Sequence, residues 1–151
     1  MEIEFVKRLF QRFQSQDQRL AKLTYEERRS VLTLLHSVAV VDGELSAAEA
    51  DALKELGLKL AIKASERLGL PEAMTILAAN ENALRLACLV VADAFFADGD
   101  YDDAEQKFVT TFAERFKLPA NPLRAAVESL RKHKLDAALA DWHHEIKRDR
   151  P

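Results

Sequence analysis

The stretch Ala97-Asp98-Gly99-Asp100-Tyr101-Asp102-Asp103-Ala104-Glu105 joins two apolar segments of the chain. The segment before it, 86–96, is densely apolar, and the segment after it, 108–116, is amphipathic. Five carboxylates fall within the eight residues 98–105, and no cation follows until Lys107. A glycine and a group of acids between two helical patterns predict a tight, negatively charged turn between helices.

The same arrangement occurs 56 residues earlier, as Val41-Asp42-Gly43-Glu44-Leu45-Ser46-Ala47-Ala48-Glu49. The shift superposes the acids and the glycine of the turn, and also the apolar positions that follow it. The matching pairs are Asp42 with Asp98, Gly43 with Gly99, Glu44 with Asp100, Glu49 with Glu105, Leu53 with Val109, Leu56 with Phe112, and Leu60 with Phe116. The pattern indicates an internal duplication of a helix–acidic turn–helix unit.

The N-terminal region, 1–23, carries an amphipathic helical pattern. Residues 3–14 place apolar side chains along one side of a helix and cations along the other. This favours a helix docked on the protein core, with an interfacial membrane helix as the alternative. Gln11 to Gln18 is polar and is either a break or an exposed continuation of that helix.

Two capping boxes mark the starts of helices. Thr24 with Glu27 and Ser46 with Glu49 have the hydroxyl-x-x-Glu spacing in which side chains satisfy early backbone amides. We expect the second of these helices to run towards Leu68, before Gly69.

Further helical patterns follow, and no strand pattern of similar strength appears. They predict helices at 71–79, at 80–96, after the second acidic turn, at 122–132 with Asn121 as its cap, and at 136–147. The fold class is therefore all-α, a helical bundle of about seven helices. We expect a single domain over 1–151, with a duplicated core at 25–118 and C-terminal helices at 119–151.

Composition and charge exclude several classes of function. The net charge is −3, but residues 31–120 carry fifteen anions against eight cations, which disfavours nucleic acid. No apolar segment is long enough to span a membrane, and the acidic N-terminus does not resemble a secretory signal, so we expect a cytoplasmic protein. Cys88 lies within an apolar helical pattern, so we expect a small core residue there. The sequence contains no catalytic motif, so we expect no enzyme. The four histidines read as surface or core residues: His36, His133, His143 and His144.

The acidic turns resemble the second half of a calcium loop: Asp, Gly, an apolar residue two positions on, and Glu at the end. The first half is absent, because Val38 and Val40, or Ala94 and Phe96, stand where oxygen ligands are needed. A standard EF-hand is therefore excluded. A hard-cation site for calcium or magnesium assembled differently stays open, and so does pure helix capping and solubility. The candidate ligands are Asp98, Asp100, Asp102 and Glu105, with a weaker set of Asp42, Glu44 and Glu49.

At these residues the chain resembles the TerB-like family of tellurite-resistance and bacterial stress proteins. The resemblance lies in Ala39-Val40-Val41-Asp42-Gly43-Glu44-Leu45-x-x-x-Glu49, in Phe96-Ala97-Asp98-Gly99-Asp100-Tyr101-x-x-x-Glu105, and in the distance between them. It covers roughly 25–118. It implies an all-α fold of about seven helices and acidic clusters proposed to bind divalent metal. It also implies a non-enzymatic part in tellurite or general stress response, in assemblies near the membrane.

We therefore expect a TerB-like binding protein that has a protein partner, with acidic turns that bind either a divalent cation or that partner. One alternative is a purely structural interaction module without metal. A more distant alternative is a magnesium-dependent hydrolase in which Asp98 and Glu105 hold the metal.

Overall fold

The computed structural model describes residues 3–40, 46–63, 68–95, 103–132, 134 and 137–138. Over these residues the chain is all-α, which confirms the predicted class. The described helices are α1 Ile3–Ser15, α2 Asp17–Leu20, α3 Tyr25–Ala39, α4 Ala47–Lys59, α5 Leu70–Ala79, α6 Glu81–Phe95, α7 Asp103–Phe116 and α8 Ala120–Lys132. Most of the helix expected at 136–147 lies outside the described residues.

The contacts divide the chain into two compact units, an N-terminal unit, Met1–Asn80, and a C-terminal unit, Glu81–Pro151. In the N-terminal unit α3 is central, and it packs against α5, α4 and α1. In the C-terminal unit α6 packs against α8 and α7, and α7 packs against α8. The expectation of a single domain over 1–151 stays a prediction.

Helix α1 docks through its apolar side. Val6, Leu9, Phe10 and Phe13 are buried, whereas Lys7 is exposed. The helix contacts α3, as expected for a helix that contributes to the core. The apolar side chains that an interfacial membrane helix would insert are therefore buried in the N-terminal unit. The polar segment that follows is a break at Gln16, after which the short α2 begins.

The capping box at the start of α3 is confirmed. The Thr24 hydroxyl oxygen accepts the Glu27 amide at 3.2 Å, and the Thr24 amide donates to Glu27 Oε1 at 2.8 Å. Farther along the helix, the buried Thr33 hydroxyl accepts the amide of Leu68 at 3.1 Å. This last hydrogen bond connects the segment just before α5 to the middle of α3.

The prediction that the helix after Ser46 runs towards Leu68 is wrong, because α4 ends at Lys59. The amide of Ile62 donates to the carbonyl of Gly57 at 2.8 Å, and the amide of Ala61 donates to the carbonyl of Leu58 at 3.3 Å. These two bonds satisfy carbonyls of the last turn in the pattern that closes a helix. Ala61 has φ 57°, the left-handed conformation that this closure requires.

The end of α7 repeats this conformation. Lys117 has φ 60° and lies 56 residues after Ala61. In both places the flanking apolar residues are buried: Leu60 and Ile62 beside Ala61, Phe116 and Leu118 beside Lys117. Burial of both neighbours offsets the cost of a left-handed residue that is not glycine.

The helix bounds also recur at this offset. Helix α6 begins and ends 56 residues after α3, and α7 begins 56 residues after α4. This agreement supports the duplication, which itself stays a prediction.

Helix α6 is the predicted central apolar helix, and it is buried almost throughout. Leu86, Cys88, Val90 and Val91 have no exposed surface.

Helix α8 begins at Ala120 instead of after Asn121, so the prediction of Asn121 as the cap is wrong. The amide of Leu123 already donates to the carbonyl of Pro119 at 3.4 Å, so the helix starts earlier in the chain than predicted.

Among the helices described above, no single one is both long and apolar enough to cross a membrane. Helices α5 and α6, taken together as a broken segment, have that length and composition.

Candidate cation site at the acidic turns

The two acidic turns lie in connections of equal length. The first, 40–46, joins α3 to α4, and the second, 96–102, joins α6 to α7. Five of the candidate ligands lie outside the described residues, so whether they converge stays a prediction. They are Asp42, Glu44, Asp98, Asp100 and Asp102.

Glu49 is the candidate ligand whose side chain the structure describes. Its Oε1 accepts the Ser46 amide at 3.2 Å, while the Ser46 hydroxyl oxygen accepts the Glu49 amide at 3.1 Å. The second predicted capping box is therefore confirmed. One carboxylate oxygen of Glu49 is thus engaged in capping its own helix, which limits the part this residue can play as a bidentate ligand.

Glu105 occupies the corresponding place in the second turn. It is the third residue of α7, as Glu49 is the third residue of α4. The position before the helix differs, because Asp102 stands where the first turn has Ser46. A carboxylate there adds a further negative charge and further oxygen donors to the second turn.

The first turns of α4 and α7 favour negative charge on electrostatic grounds. Their unpaired amides carry the positive end of the helix dipole, which stabilises nearby carboxylates. Within the described part of the chain, no group of three or more His, Cys, Asp or Glu side chains is placed to hold a metal ion. The predicted cation site therefore rests on the acids of the two connections, and it stays a prediction.

Cys88 is a core residue, as expected. It has no exposed surface, and burial raises the pKa of its thiol to about 12. A thiol with so high a pKa is a poor nucleophile and a poor metal ligand. Of the histidines, His36 lies half-buried on α3, and His133, His143 and His144 lie outside the described residues.

One feature that the sequence did not predict is a cavity in the C-terminal unit, of about 270 Å³. It lies between α6 and α8 and is lined by Glu81, Leu84, Arg85, Leu89, Pro122, Ala125 and Ala126. The signal available in the sequence was the adjacent pair Ala125-Ala126, which leaves space beside the larger side chains of α6.

Comparison with known proteins bears on the N-terminal part of the chain. Residues 4–70 match the family model described as Tellurite resistance protein TerB. Neither a curated protein nor a solved structure matches the chain.

The match differs in extent from the expected 25–118. It includes most of α1, which the expected range left out, and it ends at the start of α5, before the second acidic turn. The matched residues include the first turn with Asp42, Glu44 and Glu49. The predicted resemblance to the TerB-like family is therefore confirmed over residues 4–70, and the part of it that rests on the second acidic turn stays a prediction.

Proposed function

We propose that the protein acts by binding and not by catalysis, and that its second acidic turn takes up a divalent cation, calcium or magnesium. The observation that carries the proposal is the density of charge at this turn. Five carboxylates fall in 98–105, which spans part of one seven-residue connection and the first turn of α7.

The connection limits how far these carboxylates can separate. Its ends are held by α6 and α7, which pack against each other. Two like charges about 4 Å apart repel by about 1 kcal/mol even in water, and by more near a protein surface. Helix capping accounts for Asp102 and Glu105, but not for Asp98, Asp100 and Asp103. A bound cation would offset the repulsion that remains.

The chemistry of the donors fits calcium or magnesium. Carboxylate oxygens are the ligands that these hard cations prefer, and the turn offers no sulfur or imidazole ligand. Asp98, Asp100, Asp102 and Glu105 would hold the ion, completed by backbone carbonyls or water. We propose weaker binding at Asp42, Glu44 and Glu49, because Ser46 replaces the fourth acid and Glu49 already caps α4.

The cation would act by changing the surface that the protein presents to a protein partner. Neutralising the second turn removes charge that would otherwise repel an approaching acidic surface. We propose that this partner belongs to a membrane-associated assembly of the bacterial response to tellurite or general stress, and that the protein acts in the cytoplasm. The TerB-like domain supports this proposal.

Calorimetric titration with millimolar calcium or magnesium tests the cation site. We expect saturable heat and a rise in Tm for the wild type, because a ligand that binds only the native state stabilises it. The double variant Asp98→Asn with Glu105→Gln should lose both effects.

The matched control removes two exposed acids outside the turns, Asp51→Asn with Glu55→Gln on α4. It changes the net charge equally and should titrate like the wild type. Equal heats from the two double variants, or no heat from the wild type with either cation, would contradict the proposal.

The second candidate function is a structural interaction module without metal. It is favoured by the first turn, where hydrogen bonds between Ser46 and Glu49 give the acid a role in capping. This function predicts that neither cation produces heat or raises Tm, and that Asp98→Asn with Glu105→Gln keeps the wild-type stability, because asparagine and glutamine retain a side-chain oxygen for capping.

A further inference from the structure

Helix α4 consists of two parts that differ in burial. Its N-terminal segment, residues 47–55, contains no buried residue. The rest of the helix with the residues that close it, 56–62, is called here the anchor of α4. Four residues of the anchor are buried: Leu56, Gly57, Leu60 and Ile62. The burial that stabilises α4 is therefore concentrated at its C-terminal end.

The anchor contacts two other helices of the N-terminal unit. A methyl group added at Gly57 would lie 3.8 Å from Cδ1 of Leu32, so the backbone of α4 closely approaches α3 there. At the end of the helix, Nζ of Lys59 lies 3.6 Å from Oδ2 of Asp17 on α2. These contacts hold the anchor in place and do not involve the N-terminal segment.

Local interactions favour the helical form of the N-terminal segment. It follows directly on Ser46 of the Ser46–Glu49 capping box, and four of its nine residues are alanine, the residue with the highest helix propensity. Isolated helices shorter than about 12 residues are only marginally stable in water. A nine-residue segment without burial therefore depends on its cap and on the anchor that follows it.

Helix α7 does not share this weak burial. Leu53 in the N-terminal segment is half-buried, whereas Val109, its counterpart at the 56-residue offset, is buried. Each is the seventh residue of its helix. Burial in α7 thus begins at least one turn closer to the start of the helix than burial in α4.

We propose that the N-terminal segment of α4 opens as a separate unit while the anchor and α3 stay folded, and that the Ser46–Glu49 capping box holds it closed. Opening this segment exposes no fully buried side chain, whereas opening the anchor exposes Leu56 and Leu60. The opening releases the Glu49 carboxylate from the Ser46 amide. A contact that changes the cap therefore shifts the order of the segment without unfolding the core of the N-terminal unit.

Native-state hydrogen exchange of the full-length protein, followed by NMR, tests the proposal. A helix amide bonds to the carbonyl four residues earlier, so opening of the segment frees the amides of residues 51–59. The amides of Leu60 and Ile62 instead donate to carbonyls within the anchor, at 2.9 and 2.8 Å. We expect the amides of 51–59 to exchange at least about tenfold faster than those of Leu60 and Ile62, after correction for intrinsic rates.

Urea provides a second readout. The dependence of an opening reaction on urea scales with the surface that the opening exposes. Exchange of residues 51–59 should therefore stay nearly constant at low urea concentrations, because the segment has little surface to expose. Exchange at Leu60 and Ile62 should rise steeply, because it requires the anchor to open.

Ser46→Ala and Thr24→Ala are a matched pair of variants, because each removes the hydroxyl of a capping box. Ser46→Ala should speed the exchange of residues 51–59 about three- to tenfold, the change that corresponds to the loss of one cap. Thr24→Ala weakens α3, which stays folded when the segment opens. It should therefore leave the exchange of residues 51–59 unchanged.

Equal rates and equal urea dependence for residues 51–59 and for Leu60 and Ile62 would show that α4 opens only as a whole, and would overturn the proposal. A Thr24→Ala variant that speeds the exchange of 51–59 as much as Ser46→Ala does would also overturn it. An unchanged rate in Ser46→Ala would overturn the role of the cap. No cation is added in these experiments, so their outcome is independent of the proposed cation site.

Discussion

Ala61 and Lys117 both hold the left-handed conformation, with φ near 60°, at the ends of α4 and α7. A side chain with a Cβ pays a steric cost of about 1 kcal/mol in this conformation, and glycine does not. We expect Ala61→Gly and Lys117→Gly each to raise the free energy of unfolding by about 0.5–1 kcal/mol. Urea denaturation of each variant measures the change.

Lys54→Gly is the matched control, because Lys54 is an exposed residue inside α4. Glycine in a helix interior is unfavourable, so this variant should lose about 1 kcal/mol. A loss of stability in all three variants would show that the left-handed positions do not behave as the structure requires.

The buried thiol of Cys88 gives stability a defined dependence on pH. Burial raises its pKa from the ordinary value of 9.0 to about 12. The unfolded chain therefore releases this proton at lower pH than the native protein does. The contribution is fully present below pH 9.0 and is lost as the pH rises to about 12, at about 1.4 kcal/mol per pH unit.

Urea denaturation of the wild type and of Cys88→Ala across this range checks the prediction. The variant loses packing at every pH, but its stability should fall less steeply above pH 9.0. Parallel curves for the two proteins would contradict it.

At the scale of the helix, variants of the Ser46–Glu49 capping box can distinguish the capping role of Glu49 from its predicted role as a cation ligand. Ser46→Ala removes the acceptor for the Glu49 amide and should cost about 1 kcal/mol. Glu49→Gln keeps a side-chain oxygen for the Ser46 amide, so its stability should match that of the wild type. Thermal unfolding of both variants measures these effects.

A titration of Glu49→Gln with calcium then tests whether Glu49 is also a ligand of the cation. Unchanged stability with weakened cation binding would place Glu49 in the cation site, whereas unchanged binding would restrict it to the cap. A marked loss of stability in Glu49→Gln itself would refute the interpretation of the box.

The helix ends also show how much of the fold could be predicted from sequence. Both capping boxes were predictable, because residues three apart form their hydrogen bonds, whatever packs around them. The end of α4 at Lys59 was not, because an alanine takes the position where sequence reasoning looks for glycine. The start of α8 was missed for a similar reason. Pro119 accepts the first bond, although a polar cap was expected at Asn121.

Over the whole molecule, burial predicts which helices open first. Nine of the fifteen residues of α3 are buried, against two of the thirteen in α4. Local opening is easiest where few apolar contacts are lost. Hydrogen exchange should therefore show the slowest amides of the N-terminal unit in α3 and clearly faster ones in α4. Equal protection of the two helices would contradict this order.

The acidic turn and the cavity differ in how much of each could be predicted from the sequence. The acids at 98–105 are close neighbours in the chain, so their charge density is evident from the amino-acid sequence alone. The cavity is formed by residues about forty positions apart on α6 and α8, and it depends on how two helices pack. Periodicity predicts that both helices have apolar faces, but it does not predict the space left between them.

Gly57 marks a position at which the two predicted repeats carry different residues. A methyl group added there would lie 3.0 Å from the carbonyl oxygen of Ile62, closer than such atoms normally approach. The matching residue of α7, Ala113, carries that methyl group and is buried. An alanine at position 57 would therefore require the Ile62 carbonyl to shift by a few tenths of an ångström. Under the predicted duplication, the two helix ends share a backbone conformation but carry a different side chain at this position, glycine in α4 and alanine in α7.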